Sequence, residues 1–176
     1  MSKAIIIEEF GGPEVMKIIE SRVLPPNDYE VTIRNTAIGL NFIDTYHRTG
    51  LYPIELPSCL GLEGSAVITD LGKNVEGFHL GDRVAYVGLP IGAYSEQRNY
   101  PADGLVKIPE SISNELAAAS MLKGLTAWYL ANKSYPLKTG DDVLIYAAAG
   151  GVGLFLSQWA KHLGARVIGI VSTSEK

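Results

Sequence analysis

The segment Val143-Leu144-Ile145-Tyr146-Ala147-Ala148-Ala149-Gly150-Gly151-Val152-Gly153 decides the fold of this 176-residue chain. Its first four residues are apolar without alternation, which predicts a parallel strand covered on both faces. A glycine-rich turn follows, and residues 152–163 predict an amphipathic helix. A second apolar run, 166–171, predicts another strand. The segment therefore predicts one βαβ unit of an α/β domain with a parallel sheet.

The turn in this unit matches the dinucleotide-binding pattern GxGxxG when it is aligned on its last two glycines. Ala148, Gly150 and Gly153 occupy the three glycine positions, and Gly151 and Val152 lie between the last two. Gly150 would let a pyrophosphate approach the backbone, and the helix N-terminus would supply N–H groups. An ordinary strand-to-helix turn is the alternative interpretation. The apolar strand before the turn and the helix after it favour a Rossmann-type cofactor site.

The end of the second strand indicates which dinucleotide would bind. The pattern places an acidic residue about 20 residues further on to bind the ribose of NAD. This chain has Ser172, Thr173 and Ser174 there, with Lys176 just beyond. Hydroxyls and a nearby ammonium group would bind a 2′-phosphate, so the sequence favours NADPH over NADH. A solvated polar turn is the alternative.

The first 110 residues predict a β-rich sandwich or barrel. Short runs rich in Val, Ile and Tyr recur between turns, at 3–9, 16–23, 29–37, 63–71, 83–87, 93–100 and 105–108. Helical spacing over 41–49 predicts one short helix. Ser113 predicts the N-cap of a further helix, and Gly124 is expected to open a second helical segment, 125–132. We place the domain boundary within 120–125, which gives domains 1–122 and 123–176.

Composition excludes several classes of protein. Apolar residues make up 47% and charged residues 19%, which excludes disorder, and no apolar run is long enough to span a bilayer. Fifteen basic and 19 acidic residues give a net charge of −4, which makes a nucleic-acid partner unfavourable. Cys59 is the single cysteine, so no intrachain disulfide can form. With no export signal at the N-terminus, we expect a cytoplasmic protein.

Several short motifs together resemble a known family. They are Phe10–Val15, Asn41–Asp44, Gly50–Pro53, Gly61–Gly64, Gly81–Val84, Lys123–Ala127 and Ala147–Gly153. The whole chain resembles the medium-chain dehydrogenases/reductases, and among them the zinc-free quinone oxidoreductases that include zeta-crystallin. The resemblance implies a GroES-like β-rich barrel domain followed by the first βαβ unit of a Rossmann domain. It also implies an enzyme that uses NADPH to reduce a quinone or an α,β-unsaturated carbonyl.

The same resemblance implies that zinc is absent. The zinc-dependent branch of the family binds the metal through a cysteine and a histidine, and this sequence has Asn41 and Leu62 at those positions. A leucine cannot bind zinc, and a neutral amide is a poor zinc ligand. We therefore predict no metal site and a conjugated acceptor that takes hydride without a metal.

The remaining candidate site residues also come from the resemblance. It places Asn41, Tyr46 and Tyr52 in the cleft where hydride would pass, with Asn41 orienting the acceptor oxygen or a water. Tyr46 could instead be a half-buried helix residue, and Tyr52 a mobile loop residue. Thr126 and Tyr129 would lie beside the nicotinamide, although Tyr129 could instead pack in the core with Trp128. We expect Asp44 to be structural, the three histidines to be surface or satisfied residues, and Cys59 to be packed.

The chain is short for the activity that the resemblance implies. Members of the family are nearly twice as long, and one βαβ unit supplies only part of a dinucleotide site. The chain is therefore interpreted as truncated. The alternative to a reductase is a non-catalytic fragment or binding module, and a homodimer is expected only for a full-length form.

Overall fold

The structure is a computed structural model that describes residues 1–173 and 175. The chain divides into two compact units, Met1–Met121 and Leu122–Lys176. Helix α2 (Asn114–Tyr129) contains the point of division. Among the described residues, no helix combines the length and the apolar character needed to cross a bilayer.

The first unit is built from two antiparallel sheets and a short helix. One sheet has the order β2-β1-β4 and the other has the order β7-β3-β5-β6-β8. Helix α1 (Phe42–Thr49) follows β3 directly. The strands are β1 (Ser2–Ile7), β2 (Lys17–Ser21), β3 (Glu30–Gly39), β4 (Ser58–Cys59), β5 (Glu63–Leu71), β6 (Arg83–Val87), β7 (Gln97–Pro101) and β8 (Leu105–Lys107).

The alternation of apolar and polar residues explains the core of this unit. Inward-facing side chains of the five-stranded sheet form one buried cluster, which includes Val31, Ile33, Ile68, Val84 and Tyr86. Burying these side chains contributes about 1.5–3 kcal/mol each to folding. The predicted β-rich domain is confirmed.

The sequence prediction differs from the structure at two strands of the first unit. The predicted strand 93–100 begins only at Gln97, because the residues before it pair irregularly with β1. There Ile5 N–H donates to the Tyr94 carbonyl oxygen and Glu96 N–H donates to the Lys3 carbonyl oxygen. Strand β4 is absent from the prediction, since two residues are too few to show a period.

The second unit contains the predicted βαβ arrangement. Strand β9 (Asp142–Tyr146), helix α3 (Gly151–His162) and strand β10 (Arg166–Ile170) follow in order. The two strands are parallel, with Asp142 opposite Arg166 and Tyr146 opposite Ile170. A π-helical turn, Leu130–Ser134, extends α2. The predicted parallel unit is therefore confirmed.

Two expectations about the second unit are wrong. Helix α2 runs through Gly124 without interruption, because a lone glycine weakens a helix without ending it. Strand β9 is not covered on both faces: Leu144 is 52% and Tyr146 is 73% exposed, whereas Ile145 is buried. Among the described residues of this unit, side chains pack on only one face of β9.

Candidate functional site

The glycine-rich turn of the second unit is shaped by the backbone. Ala147, directly after β9, has a φ of 52°, in the left-handed region that non-glycine residues rarely adopt. Gly150 N–H donates to the Ala147 carbonyl oxygen at 2.8 Å and closes the turn. A Cβ at position 153 would collide with the Ala147 carbonyl oxygen and would lie 2.7 Å from that of Ala148. Only glycine at 153 lets α3 pack this closely on the turn.

The alanine in the first glycine position has a structural explanation. Ala148 N–H donates to the Ile170 carbonyl oxygen at 3.0 Å, which joins the turn to β10. A Cβ at Gly169 would lie 2.8 Å from the Ala148 Cβ. Glycine on β10 thus provides the space that the methyl group of Ala148 occupies. The departure from the GxGxxG pattern is therefore compensated on the neighbouring strand.

Two cavities adjoin the turn, each of about 330 Å³. One is lined by Ala147, Ala149, Gly150, Ile170, Val171 and Ser172. The lining of the other includes the backbone of 150–153, where α3 begins without an acidic residue in its first turn. Free N–H groups and the positive end of the helix dipole favour an anion at such a position. Gly150 lines both cavities, Ser172 lines the first, and Gly151, Val152 and Gly153 line the second.

The other predicted cofactor residues lie as follows. Thr173 is exposed after β10, and Lys176 lies outside the described residues. The Thr126 hydroxyl donates to the Leu122 carbonyl oxygen at 2.7 Å, within α2. Tyr129 is 56% exposed, so the alternative in which it packs in the core is wrong.

In the first unit, Asn41 is the N-cap of α1 and is held by two carboxylates. Its backbone N–H donates to Asp44 Oδ2 at 2.9 Å, as in a capping box. Its side-chain Nδ2 donates to Glu63 Oε1 at 2.6 Å. Asn41 is 7% exposed and Glu63 is fully buried. The predicted structural role of Asp44 is confirmed by these bonds.

Asp44 also joins α1 to the loop before β7. The Tyr94 hydroxyl donates to Asp44 Oδ2 at 2.8 Å. Burial raises the pKa of the Asp44 carboxyl, although its bonds from Asn41 and Tyr94 oppose that shift. Burial and the bond to Asp44 raise the pKa of Tyr94 as well. A hydrogen bond therefore joins the buried Asp44 carboxyl to the partly buried Tyr94 phenol.

One histidine differs from the prediction. The sequence predicts a surface or satisfied residue at His47, but the side chain is buried and its Nδ1 has no hydrogen-bond partner among the described residues. Asp44 Oδ1 is also buried, and it too has no hydrogen-bond partner among the residues that the structure describes. His47 lies on the buried face of α1, one turn after Asp44, and no sequence signal indicates this. His79 and His162 are exposed, as predicted. Cys59 is partly buried, and burial raises the pKa of its thiol.

Aromatic residues form a cluster at α1. The Tyr46 ring lies 5.3 Å from that of Tyr52 and 5.5 Å from that of Phe42, both edge to face. The His47 ring lies 6.4 Å from Tyr52. Tyr46 is half-buried and Tyr52 is half-exposed. The structure therefore brings together Tyr46, on the helix that Asn41 caps, and Tyr52, which follows that helix.

The positions compared with zinc ligands are occupied by side chains with other contacts. Leu62 is buried, and the Asn41 amide nitrogen bonds to Glu63. The described residues contain no group of three or more His, Cys, Asp or Glu arranged to hold a metal ion. Sequence reasoning missed Glu63 and Tyr94, because their partners lie 22 and 50 residues away in the chain.

Comparisons with known proteins agree with this geometry. Residues 27–110 match the family described as the alcohol dehydrogenase GroES-like domain. The sequence is 51% identical to a quinone oxidoreductase of Pseudomonas aeruginosa, over 100% of this chain and 54% of that protein. It is 46% identical to a 2-haloacrylate reductase of a Burkholderia species, over 100% of this chain and 55% of that protein.

Solved structures give the same result. The fold matches the quinone oxidoreductase of Pseudomonas syringae pv. tomato DC3000 with a TM-score of 0.97 and 52% identity, over 99% of this chain and 54% of that one. It matches the Escherichia coli quinone oxidoreductase complexed with NADPH with a TM-score of 0.96 and 47% identity, over 98% of this chain and 53% of that one.

A GroES-like β domain followed by a parallel βαβ unit with this glycine-rich turn is the arrangement that the resemblance to the medium-chain dehydrogenases/reductases implied. Over its whole length the chain is similar to quinone oxidoreductases. The chain spans about half the length of the relatives that it matches.

Proposed function

We propose that this chain supports NADPH-dependent reduction of a quinone or an α,β-unsaturated carbonyl without zinc. The observation that carries the proposal is the turn at 147–153, where a Cβ at Gly153 would collide with the Ala147 carbonyl oxygen. Two relatives support the chemistry. The Escherichia coli quinone oxidoreductase structure is an NADPH complex, and another relative is named for reduction of a haloacrylate, an α,β-unsaturated acid.

The second unit, assigned as the cofactor domain 123–176, would bind the dinucleotide. The backbone from Gly150 to Gly153 would hold the pyrophosphate, and Ala148 would keep the turn close to β10. Ser172, Thr173 and Lys176 would bind the 2′-phosphate that distinguishes NADPH from NADH. Thr126 and Tyr129 would lie on the nicotinamide side. NADPH would supply the hydride, and the protein would supply orientation.

The first unit, assigned as the substrate domain 1–122, would hold the acceptor. Tyr46 and Tyr52, whose rings lie 5.3 Å apart, offer aromatic edges and hydroxyls to a planar quinone. Asn41 would orient the acceptor oxygen or a water bound to it. An acceptor that takes hydride becomes an anion whose conjugation spreads the charge, and a proton then completes the reduction.

Independence from zinc follows from the chemistry of the residues. Leu62 presents only carbon, and the Asn41 amide donates a hydrogen bond to the Glu63 carboxylate. Neither group can replace a thiolate or an imidazole as a zinc ligand. The conjugated acceptor makes a Lewis acid unnecessary. The proposed partners are therefore NADPH and a small acceptor, in a reducing cytoplasm where Cys59 would stay a thiol.

The test is a fluorescence titration of the 176-residue chain with NADPH, followed by addition of duroquinone. We expect saturable binding and a quinone-dependent loss of NADPH absorbance. Binding without turnover would favour the alternative, a non-catalytic fragment or binding module. A chain that binds no NADPH would contradict the proposal altogether. NADH serves as the control and should bind more weakly, and Lys176→Ala should reduce that difference.

A further inference from the structure

Asn41 is fixed at two atoms by separate carboxylates. Asp44 accepts from its backbone N–H, and Glu63 accepts from its side-chain Nδ2 at 2.6 Å. The first bond sets where the residue lies at the start of α1. The second bond, beside the capping-box contact of the Asn41 side chain with the Asp44 backbone, sets which way the side-chain amide faces. Only the second is unexplained by helix capping.

The structure makes room for the Glu63 side chain in a place where a carboxylate is unfavourable. Glu63 is fully buried, and burial of a charged group is costly unless that group is well bonded. It pairs with Gly39 across the β3–β5 ladder. A Cβ at position 39 would collide with Glu63 Cγ and Oε1. Packing alone therefore does not account for the carboxylate, and one purpose of its polar contacts lies at Asn41.

That purpose can be read from the chemistry of an amide. An asparagine side chain donates from nitrogen and accepts at oxygen, and a half turn about its last bond exchanges the two. A carboxylate can only accept, so it bonds to Nδ2 and opposes the exchange. The charged acceptor makes this bond stronger than a bond between neutral groups.

We propose that Glu63 is a positioning residue for the acceptor site: it holds the Asn41 amide in one orientation. This inference rests on the proposed function, in which Asn41 orients the acceptor oxygen or a water. Because one side-chain N–H of Asn41 is committed to Glu63, the amide is held with its nitrogen toward that carboxylate. The polarity that Asn41 presents is then set before the acceptor binds.

The first measurement needs no activity. In ¹⁵N-labelled chain, hydrogen exchange of the Asn41 side-chain amide reports its bond to residue 63. In Glu63→Gln, residue 63 can either accept or donate, so both amide orientations become possible. We expect exchange about tenfold faster, with the native fold retained. Unchanged exchange would overturn the proposal. Glu76→Gln, an exposed carboxylate in the same unit, is the matched control.

A rescue experiment separates orientation from general damage. Asn41→Asp places two carboxylates together beside Asp44, His47 and Tyr94, so the folding equilibrium constant should fall as pH rises above the carboxyl range. When Asn41→Asp is combined with Glu63→Gln, the amide introduced at position 63 can donate to the carboxylate introduced at position 41. The folding equilibrium constant of the double variant should be about tenfold or more above that of Asn41→Asp alone. Absence of rescue would show that the two side chains do not act as a pair.

Duroquinone affinity connects the pair to the acceptor. Glu63→Gln should weaken duroquinone binding about tenfold and leave NADPH binding unchanged, because the acceptor meets two amide orientations. The rescued double variant should stay weak, since residue 41 then carries a carboxylate. Unchanged duroquinone affinity in Glu63→Gln would overturn the positioning role. If the unmodified chain binds no duroquinone, the proposed function fails, and the amide exchange alone decides whether Glu63 orients Asn41.

Discussion

The two candidate binding regions of this molecule are built in opposite ways. In the second unit, the turn at 147–153 is shaped by backbone atoms and by small residues that let chain segments approach. In the first unit, the Asn41 region is built from side chains, with two buried carboxylates holding one residue. The turn depends on the small size of its side chains. The Asn41 region depends on the polar groups that its side chains carry.

This difference has a physical reason. A pyrophosphate is a large, permanent anion, and an array of N–H groups at a helix N-terminus suits it without a charged side chain. An acceptor that becomes charged only during reaction needs polar groups held in advance at fixed angles. We therefore expect the turn to be sensitive to added volume and the Asn41 region to be sensitive to lost hydrogen bonds.

The largest expected effect is on the turn. Gly153→Val places carbon atoms against the carbonyl oxygens of Ala147 and Ala148. Overpacking of this kind costs about 1–3 kcal/mol, equivalent to roughly fivefold to 150-fold in NADPH affinity if the cost falls on binding. A fluorescence titration measures the affinity, and thermal unfolding shows how much of the cost falls on stability.

Gly124→Ala is the matched control for that variant. Nothing lies within 4 Å of the Cβ it would add, and the position is inside α2. The alanine should raise the free energy of unfolding by about 0.5–1 kcal/mol and leave NADPH affinity unchanged. If both glycine variants lost affinity equally, the turn would have no special role.

The next effect tests the side-chain region. Tyr94→Phe removes the hydroxyl that donates to the buried Asp44 carboxylate. Hydrogen bonds to charged groups contribute about 1.5–3 kcal/mol, so the free energy of unfolding should fall by that amount. Chemical denaturation measures it, with the exposed Tyr29→Phe as control. Equal stability of both variants would mean that Tyr94 does not support Asp44.

A smaller effect examines the alanine in the first glycine position. Gly169→Ala would bring two methyl groups to 2.8 Å and should destabilise the chain by about 1 kcal/mol. Ala148→Gly in the same chain should restore stability, because the space moves from β10 to the turn. Thermal unfolding of the single and double variants gives the coupling. A double variant no more stable than Gly169→Ala would contradict the compensation.

The smallest expected effect is on the pH dependence of stability, and it comes from Asp44. Burial raises the pKa of this carboxyl above its unfolded value, so the native chain holds its proton more tightly. The Asp44 contribution to stability is fully present below the ordinary aspartate pKa and is lost as pH rises through the raised one. Asp44→Asn should lack this fall, and unfolding curves at several pH values test it. Parallel stability profiles for the two proteins would exclude Asp44 as the source.

The turn and the Asn41 region also differ in how well the sequence predicts them. The turn is predictable because its residues are contiguous and its pattern of small residues has one geometric meaning. The short helix at Asn41 is predictable too, from local spacing and capping. Glu63 and Tyr94 are not, since sheet register brings them to Asn41 and Asp44 from distant parts of the chain. The burial of His47 escapes prediction for the same reason, and the exposure of Leu144 depends on which layers cover β9.

The most direct test of the central claim is a map of backbone amide chemical shifts on addition of NADPH to the ¹⁵N-labelled chain. We expect the largest changes at Gly150, Gly151, Val152 and Gly153, with smaller ones at Ser172 and Thr173. Saturable changes elsewhere that leave the 150–153 amides unmoved would contradict it.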